Sequence, residues 1–387
     1  MLTAIIIFFV ILSVIVFVHE MGHFLAARIF GVKAEEFGFG FPPRVFGVVK
    51  NDQNKWELVR GNSEKQYKNT IWSLNWIPVG GFVKIKGESG EAEHEPDSLI
   101  SKKIWKRAII LSAGVIMNLV LAAVILSFGF MVGLPSVVED LPQGAQIHER
   151  QIQIFTVLSD SPAKTAGVEP GDIVLSIDGQ EFNALENMQA YIHKNQGKEL
   201  DFLFLHQGEN LNKSIAPQII NETGEPGIGV GLAQIGIVSY PWHFAVIQGA
   251  ESTVYLTKEV ISAFYQLIKN IIVKQEVAVE LSGPVGIAVL TGKVARMGFV
   301  YILQFAALLT INLAVVNFLP FPALDGGRVL FLIIEKIRGK AVSFKTEAVI
   351  HNVGFILLLL LLALVTFRDI FMISDKIIGG LKSIIGF

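Results

Sequence analysis

Four stretches of this chain are too long and too apolar to belong to a water-soluble fold. Residues 2–30 carry no charge before Glu20, residues 108–134 and 297–324 carry none at all, and residues 348–367 hold a leucine run at 357–362. About 20 helical residues cross a hydrocarbon core of about 30 Å, so each stretch is read as a transmembrane helix. A secretory signal has Lys or Arg ahead of its apolar run and small residues after it. The first stretch has neither and is read as a span. The chain is 52% hydrophobic and 17% charged, with a net charge of −2. This composition excludes a disordered chain, a collagen-like repeat and a basic nucleic-acid-binding face. With no cysteine, disulfides, Cys-ligated zinc and thiol nucleophiles are excluded. Chemistry falls to His, Asp, Glu, hydroxyls or backbone.

Charge asymmetry orients the spans. Residues 31–107 hold 13 Lys/Arg against 10 Asp/Glu, residues 328–345 five against one, and residues 135–300 ten against 18. The Lys/Arg bias of short loops puts the first and third connections in the cytoplasm, with the central segment and both termini outside. The expected fold is an α-helical polytopic membrane protein with about four transmembrane helices, a cytoplasmic membrane-associated β-hairpin region and one inserted extracytoplasmic α/β domain. Its expected divisions are span one (1–30), the hairpin region (31–107), span two (108–134), the outer domain (136–220), an outer linker (221–296), span three (297–337) and span four (348–367).

Within the outer domain, Ser161-Pro162-Ala163 to Ala166-Gly167 reads as a short helix closed by glycine. Pro170-Gly171-Asp172 and Asp178-Gly179 are turns around a strand over Ile173–Ile177, followed by a helix over Leu185–Lys194 and a strand over Leu200–His206. This order and wording resemble a PDZ domain, a module that captures extended peptides at a sheet edge. No clear carboxylate-binding loop is evident, so a domain that merely spaces the helices is the alternative. In the hairpin region, strands over 72–76 and 82–86 flank Pro78-Val79-Gly80-Gly81. A hairpin dipping back to the membrane surface is one reading, an ordinary amphipathic hairpin the other. Residues 257–273 have helical apolar spacing and fit either the outer interface or a soluble linker. His94, His148, His193, His206 and His243 read as surface histidines.

The first span contains His19-Glu20-Met21-Gly22-His23. Residues i and i+4 of a helix share one face about 6 Å apart along the axis. Two imidazoles so placed can grip one Zn²⁺, with the intervening Glu20 as general base toward a water on the metal. Ionisable groups inside an apolar span are costly and face a partner or a functional cavity. A catalytic zinc takes three protein ligands and keeps one position open. Asp325, in Asn317-Phe318-Leu319-Pro320-Phe321-Pro322-Ala323-Leu324-Asp325-Gly326-Gly327, lies at matching depth near the end of the third span. Alone it could be a helix-capping or interfacial acid; the matching depth favours ligation.

HEMGH together with NFLPFPALDGG is similar to the site-2 protease family of intramembrane zinc metalloproteases. Gly38-Phe39-Gly40-Phe41, residues 77–84 and Ser282-Gly283-Pro284-Val285-Gly286-Ile287 narrow the resemblance to the bacterial regulator-of-sigma-E protease branch. It implies zinc on His19, His23 and Asp325, Glu20 as catalytic base, and a substrate strand held by Asn317, Pro320, Pro322 and the Gly80-Gly81 hairpin. It further implies a multi-pass protein of the bacterial cytoplasmic membrane that cuts single-span membrane proteins in the lipid bilayer after a first trimming cleavage. Anti-sigma factors and signal-peptide remnants are candidate substrates, and the PDZ-like domain is a candidate peptide binder. No nucleic-acid partner is expected. One departure stands out: Val115 follows Gly114 where the family commonly has proline ahead of Asn118. A metal transporter or a catalytically silent PDZ scaffold are the rival classes.

Overall fold

An apolar run with no proline, in which Glu20 and Arg28 are the only formal charges, gives 28 residues of helix, α1 (Leu2–Ile29). It is followed by a sheet whose strands are β1 (Ala34–Lys50), β2 (Trp56–Arg60) and β3 (Ile71–Ile85), in the order β2-β1-β3. The computed structural model describes residues 2–61, 65, 67–88, 90, 92, 94–138, 141–206, 208–220, 224–274 and 283–385. The chain divides into two compact units, Met1–Ser127 with Gln248–Phe387, and Phe128–Ile247.

The expected hairpin over residues 72–86 is opened by a third strand. Phe37 pairs with both Trp72 and Val83, and Gly38 with both Ser73 and Phe82. The arms of β3 therefore lie on opposite sides of residues 36–39 rather than against each other. Glycine makes the insertion possible. A Cβ at Gly38 would sit 3.0 Å from the Ser73 carbonyl oxygen, and Gly40 turns through a φ of +81° against Ile77. β1 then doubles back, so that Phe46 and Val48 meet Leu74 and Trp72 on one side and Arg60 and Leu58 of β2 on the other. Arg44 closes the bend with a bidentate pair to Glu36, its Nε 2.8 Å from Oε1. Burial alone would raise the Glu36 carboxyl; the hydrogen bonds and charge of Arg44 overcome it and hold that group below the usual carboxylate range. Asn75 Nδ2 donates to the Gly40 carbonyl at 2.8 Å.

The arm from Gly81 to Ile85 pairs only with β1 among the described residues, so its other edge is open. It lies on α1. A Cβ at Gly80 would meet the Val16 side chain, and one at Gly81 would stand 2.9 Å from Phe17 Cα and 3.3 Å from Glu20 Cβ. The chain then enters α2 (Ile104–Val132), which crosses α1 where Gly22 meets Ala113 and Met117.

The second unit holds β4 (Leu134–Val137), β5 (Gln146–Val157), α3 (Pro162–Thr165), β6 (Ile173–Ile177), α4 (Leu185–Lys194), β7 (Leu200–His206) and β8 (Glu209–Ile215). Two-residue strands β9 (Gln218–Ile219) and β10 (Pro226–Gly227) precede β11 (Val230–Ser239). The six-stranded sheet runs β4-β11-β5-β6-β7-β8 around a core of Phe202, Phe204, Ile154, Ile177 and Met188. Ser161 Oγ caps α3 by accepting from the Lys164 amide at 3.2 Å. The expected end at residue 220 is too early, because β11 lies in the middle of the sheet. Residues 235–238 of β11 pair with β4, whereas its first residues, following the left-handed Gly229, pair only with β5 among the described residues. His206 is not a free surface histidine: its Nδ1 is 2.6 Å from the buried Asp172 carboxylate.

The remaining helices are α5 (Trp242–Lys274), α6 (Pro284–Met297), α7 (Phe299–Phe318), α8 (Asp325–Arg338) and α9 (Phe344–Ile385). α5 is longer than the expected amphipathic segment and is no free linker. Leu256, Val260 and Phe264 form one stripe against Leu119 and Ala122 of α2 and Ile311 and Val315 of α7. The amides of Gly283 and Gly286 at the start of α6 donate to Asp369 of α9 at 3.2 and 2.7 Å. Ser282 of the same motif lies outside the described residues. The region read as one span over 297–337 is two helices, α7 and α8, separated by Leu319–Leu324. Among the described residues, four helices are long and apolar enough to cross a membrane: Thr3–Ile29, Ile104–Val132, Phe299–Phe318 and Phe344–Met372.

Candidate active site

Three ionisable side chains converge where α1, α2 and the start of α8 meet. His19 Nε2 lies 3.0 Å and His23 Nε2 3.4 Å from Asp325 Oδ2, and the two Nε2 atoms are 3.2 Å apart. Both imidazoles are 8% exposed. Helical spacing within α1 puts the histidines on one face; the chain break brings in the third group. α7 stops at Phe318 ahead of Pro320 and Pro322, and α8 starts at Asp325. Gly326 and Gly327 let α8 close onto the break: a Cβ on either would collide with the carbonyls of Phe318, Leu319 or Phe321. Ala323 adopts a left-handed φ of +79°, and its amide donates to His351 Nδ1 of α9 at 2.9 Å. Arg107 holds α8 from α2 with two 3.0 Å bonds to Glu335, and Arg328 pairs with Glu88.

The other sequence candidates are distributed around this cluster. Glu20 is partly exposed on the face of α1 against Gly81. Asn317 is half-buried in the last turn of α7, and Pro320 is exposed in the break. Pro322 packs instead against α9, where a Cβ on Gly354 would lie 2.8 Å from the Pro322 carbonyl carbon.

The model for peptidase family M50 matches residues 7–60 and 62–361. The regulator of sigma-W protease of Bacillus subtilis is 30% identical over 94% of this chain and 97% of its own length. A zinc metalloprotease of Geobacillus kaustophilus is 30% identical over 95% and 98%. The chain belongs to peptidase family M50.

Like that family, this M50 peptidase is a zinc metalloprotease of the site-2 type, a multi-pass protein acting within the membrane. The PDZ domain of an SdrC-like protein from Listeria monocytogenes is 27% identical over 22% of this chain and 92% of its own, with a TM-score of 0.21.

The donor set fits zinc. The ligand atoms of His19, His23 and Asp325 all lie within 4.8 Å of one another, and Asp325 Oδ2 is buried without a hydrogen-bond partner among the described residues. Two imidazoles and a carboxylate with room for a fourth ligand is a recurrent catalytic zinc arrangement. Room for the imidazoles comes from Gly114 of α2, whose missing Cβ would be 2.7 Å from His19 Cε1 and 2.8 Å from His19 Nε2. Sequence reasoning noted Gly114 only as part of a departure from the family pattern. With valine at 115 instead of proline, α2 stays helical from Ile104 to Val132. It also missed that His23 Nδ1 donates to the Ile110 carbonyl at 2.8 Å. A backbone acceptor has no residue signature, although its i, i+4 relation to Gly114 could have marked the face.

Proposed function

We propose that His19, His23 and Asp325 hold the catalytic zinc of this M50 peptidase, that Glu20 is its general base, and that it cuts the membrane segment of a single-span protein. The observation that carries this reading is the convergence of two imidazole nitrogens and one carboxylate oxygen beside a helix that also bears Glu20. Zinc bound there would supply a Lewis acid that polarises a carbonyl and brings the pKa of water down to about 7. Glu20 takes a proton from the attacking water and returns it to the leaving amide nitrogen, so the peptide bond breaks with no net proton change.

A peptide bond in a helix is shielded by its own hydrogen bonds, and in lipid its freed backbone groups need partners. The open edge at residues 81–85, lying along α1 beside Glu20, supports strand addition by an unwound substrate segment. Asn317 and Pro320, in the last turn of α7 and in the break after it, are the further contacts this reading gives the substrate strand. In this reading the β1–β3 region and the α8–α9 connection are cytoplasmic, both termini are extracytoplasmic, and the β4–β11 module is outside. That module acts as a filter against bulky outer domains, so substrates are trimmed first, and the first residues of β11 offer an edge for an extended peptide. The name of the Bacillus subtilis relative favours an anti-sigma factor as substrate.

The test is cleavage of trimmed single-span substrates by purified wild type and Glu20→Gln, with zinc measured in both. Loss of cleavage with zinc retained is expected for the variant. Cleavage at the wild-type rate removes Glu20 from the mechanism. Equal cleavage of a substrate with its bulky outer domain intact removes the filter.

A further inference from the structure

We propose that Asn118 is a positioning residue for the metal, its amide oxygen accepting the Nδ1 proton of His19 and so turning the Nε2 lone pair of that ring toward Asp325. The inference rests on His19 being a zinc ligand.

Three residues of α2 meet the histidine pair in register. Ile110, Gly114 and Asn118 are spaced i, i+4, i+8 and share one helical face. At one end the Ile110 carbonyl accepts from His23 Nδ1 at 2.8 Å; in the middle Gly114 leaves space for both rings; at the other end Asn118 Nδ2 is 3.3 Å from His19 Nδ1. α1 and α2 thus meet antiparallel, 23 beside 110 and 19 beside 118.

The chemistry at the two ends should match. A carbonyl can only accept, so His23 must carry its proton on Nδ1, which frees Nε2 to ligate. For His19 to ligate through Nε2, its Nδ1 must likewise be protonated and must find an acceptor. Asn118 is fully buried, and its Oδ1 has no hydrogen-bond partner among the described residues. A half-turn of the amide exchanges oxygen and nitrogen at almost unchanged shape, bringing Oδ1 to the position 3.3 Å from His19 Nδ1 that Nδ2 holds. A metal-ligating histidine almost always donates its other nitrogen to an oxygen in this way, and removing that oxygen typically costs 10–100-fold in metal affinity. A buried asparagine with an unsatisfied oxygen has no comparable reason to stand at this place in an apolar span.

The experiment titrates full-length protein in detergent with chelator-buffered zinc and reads occupancy directly, for wild type, Asn118→Leu, Asn118→Asp and His19→Ala. Asn118→Leu is expected to need about 10–100-fold more free zinc for half occupancy. Asn118→Asp, which keeps an acceptor oxygen at the same place, is expected within about threefold of wild type on the same rule. Wild-type affinity in Asn118→Leu overturns the proposal. So does a loss in Asn118→Asp as large as in Asn118→Leu, which would mean that the amide nitrogen, not the oxygen, faces the ring. Where the leucine variant does not fold, a loss of about 10-fold or more in Asn118→Asp overturns the proposal by itself. A lower melting temperature of the metal-free protein with an unmoved zinc titration is the result of packing alone, and also overturns it. His19→Ala separates the two levels: if that variant binds zinc like wild type, the ligand assignment itself is wrong.

Discussion

Replacing Gly114 with alanine is the smallest change that should disable this enzyme. The added methyl would stand 2.7 Å from His19 Cε1 and 2.8 Å from His19 Nε2, and it collides with His23 Nε2 as well. Ordinary contact begins at 3.4 Å, so His19 must retreat by about 0.7 Å, from 2.7 to 3.4 Å. Ligand distances in a working metal site hold to about ±0.2 Å. The rings cannot yield independently, since one is tied to Ile110 and the other to Asn118 on the same helix. α1 and α2 must separate instead, an overpacking that costs about 1–3 kcal/mol. Misplacement of reacting groups by about 1 Å costs about 100-fold in rate. Gly114→Ala is therefore expected to purify with little zinc and to cleave a trimmed substrate about 100-fold more slowly. The assay is zinc content and initial cleavage rate on the same preparation. Zinc at one equivalent with a rate within about threefold of wild type, far short of that 100-fold loss, would refute the argument that Gly114 makes room for the metal cradle.

Other consequences can be measured separately. Arg44→Leu leaves Glu36 buried without its partner and should cost about 3–5 kcal/mol, read as a drop in melting temperature. Because Glu36 titrates below its unfolded value, its share of stability is present above the ordinary carboxylate pKa and is lost as pH falls through the depressed one. Wild type should thus lose more melting temperature than Glu36→Gln on acidification from pH 5. His351→Phe strands the Ala323 amide in the break before Asp325; about 1–3 kcal/mol of destabilisation is expected, with weaker zinc retention than in wild type. Gly81→Val drives a side chain into Phe17 and should lower the cleavage rate while zinc content stays at the wild-type level.

The spans are legible in the sequence because length and hydropathy suffice to define them. His19, His23 and Asp325 stand out because ionisable groups are rare in apolar helix and the Pro-Gly-rich break is visible as composition. The strand Ile173–Ile177 and the helix Leu185–Lys194 fall at their expected residues because turns and apolar spacing bound them locally. What escaped depends on partners distant in sequence. β1, with Gly38, Gly40, Pro42 and Pro43 inside it, stands out as a strand only once Ser73 and Phe82 are seen on its two sides. β11 is separated from the rest of its sheet by the turn-rich residues before it. Gly114, Asn118 and the Ile110 carbonyl face the histidines across a helix crossing, and nothing in a single helix announces what lies opposite.

The histidine pair and Asp325 stand about 300 residues apart in the chain. Chains emerge from the ribosome amino-terminus first and fold in that order. The first two spans can therefore reach the membrane with the histidines already on their helix, while the carboxylate that completes the cluster is still unmade. On the assignment proposed above, a nascent copy would carry Glu20 and both histidines without Asp325, and would be inert toward other proteins being inserted at the same place. Proteolytic competence would then arrive only once Asp325 has been made, so that the order of synthesis itself keeps the earlier chain harmless.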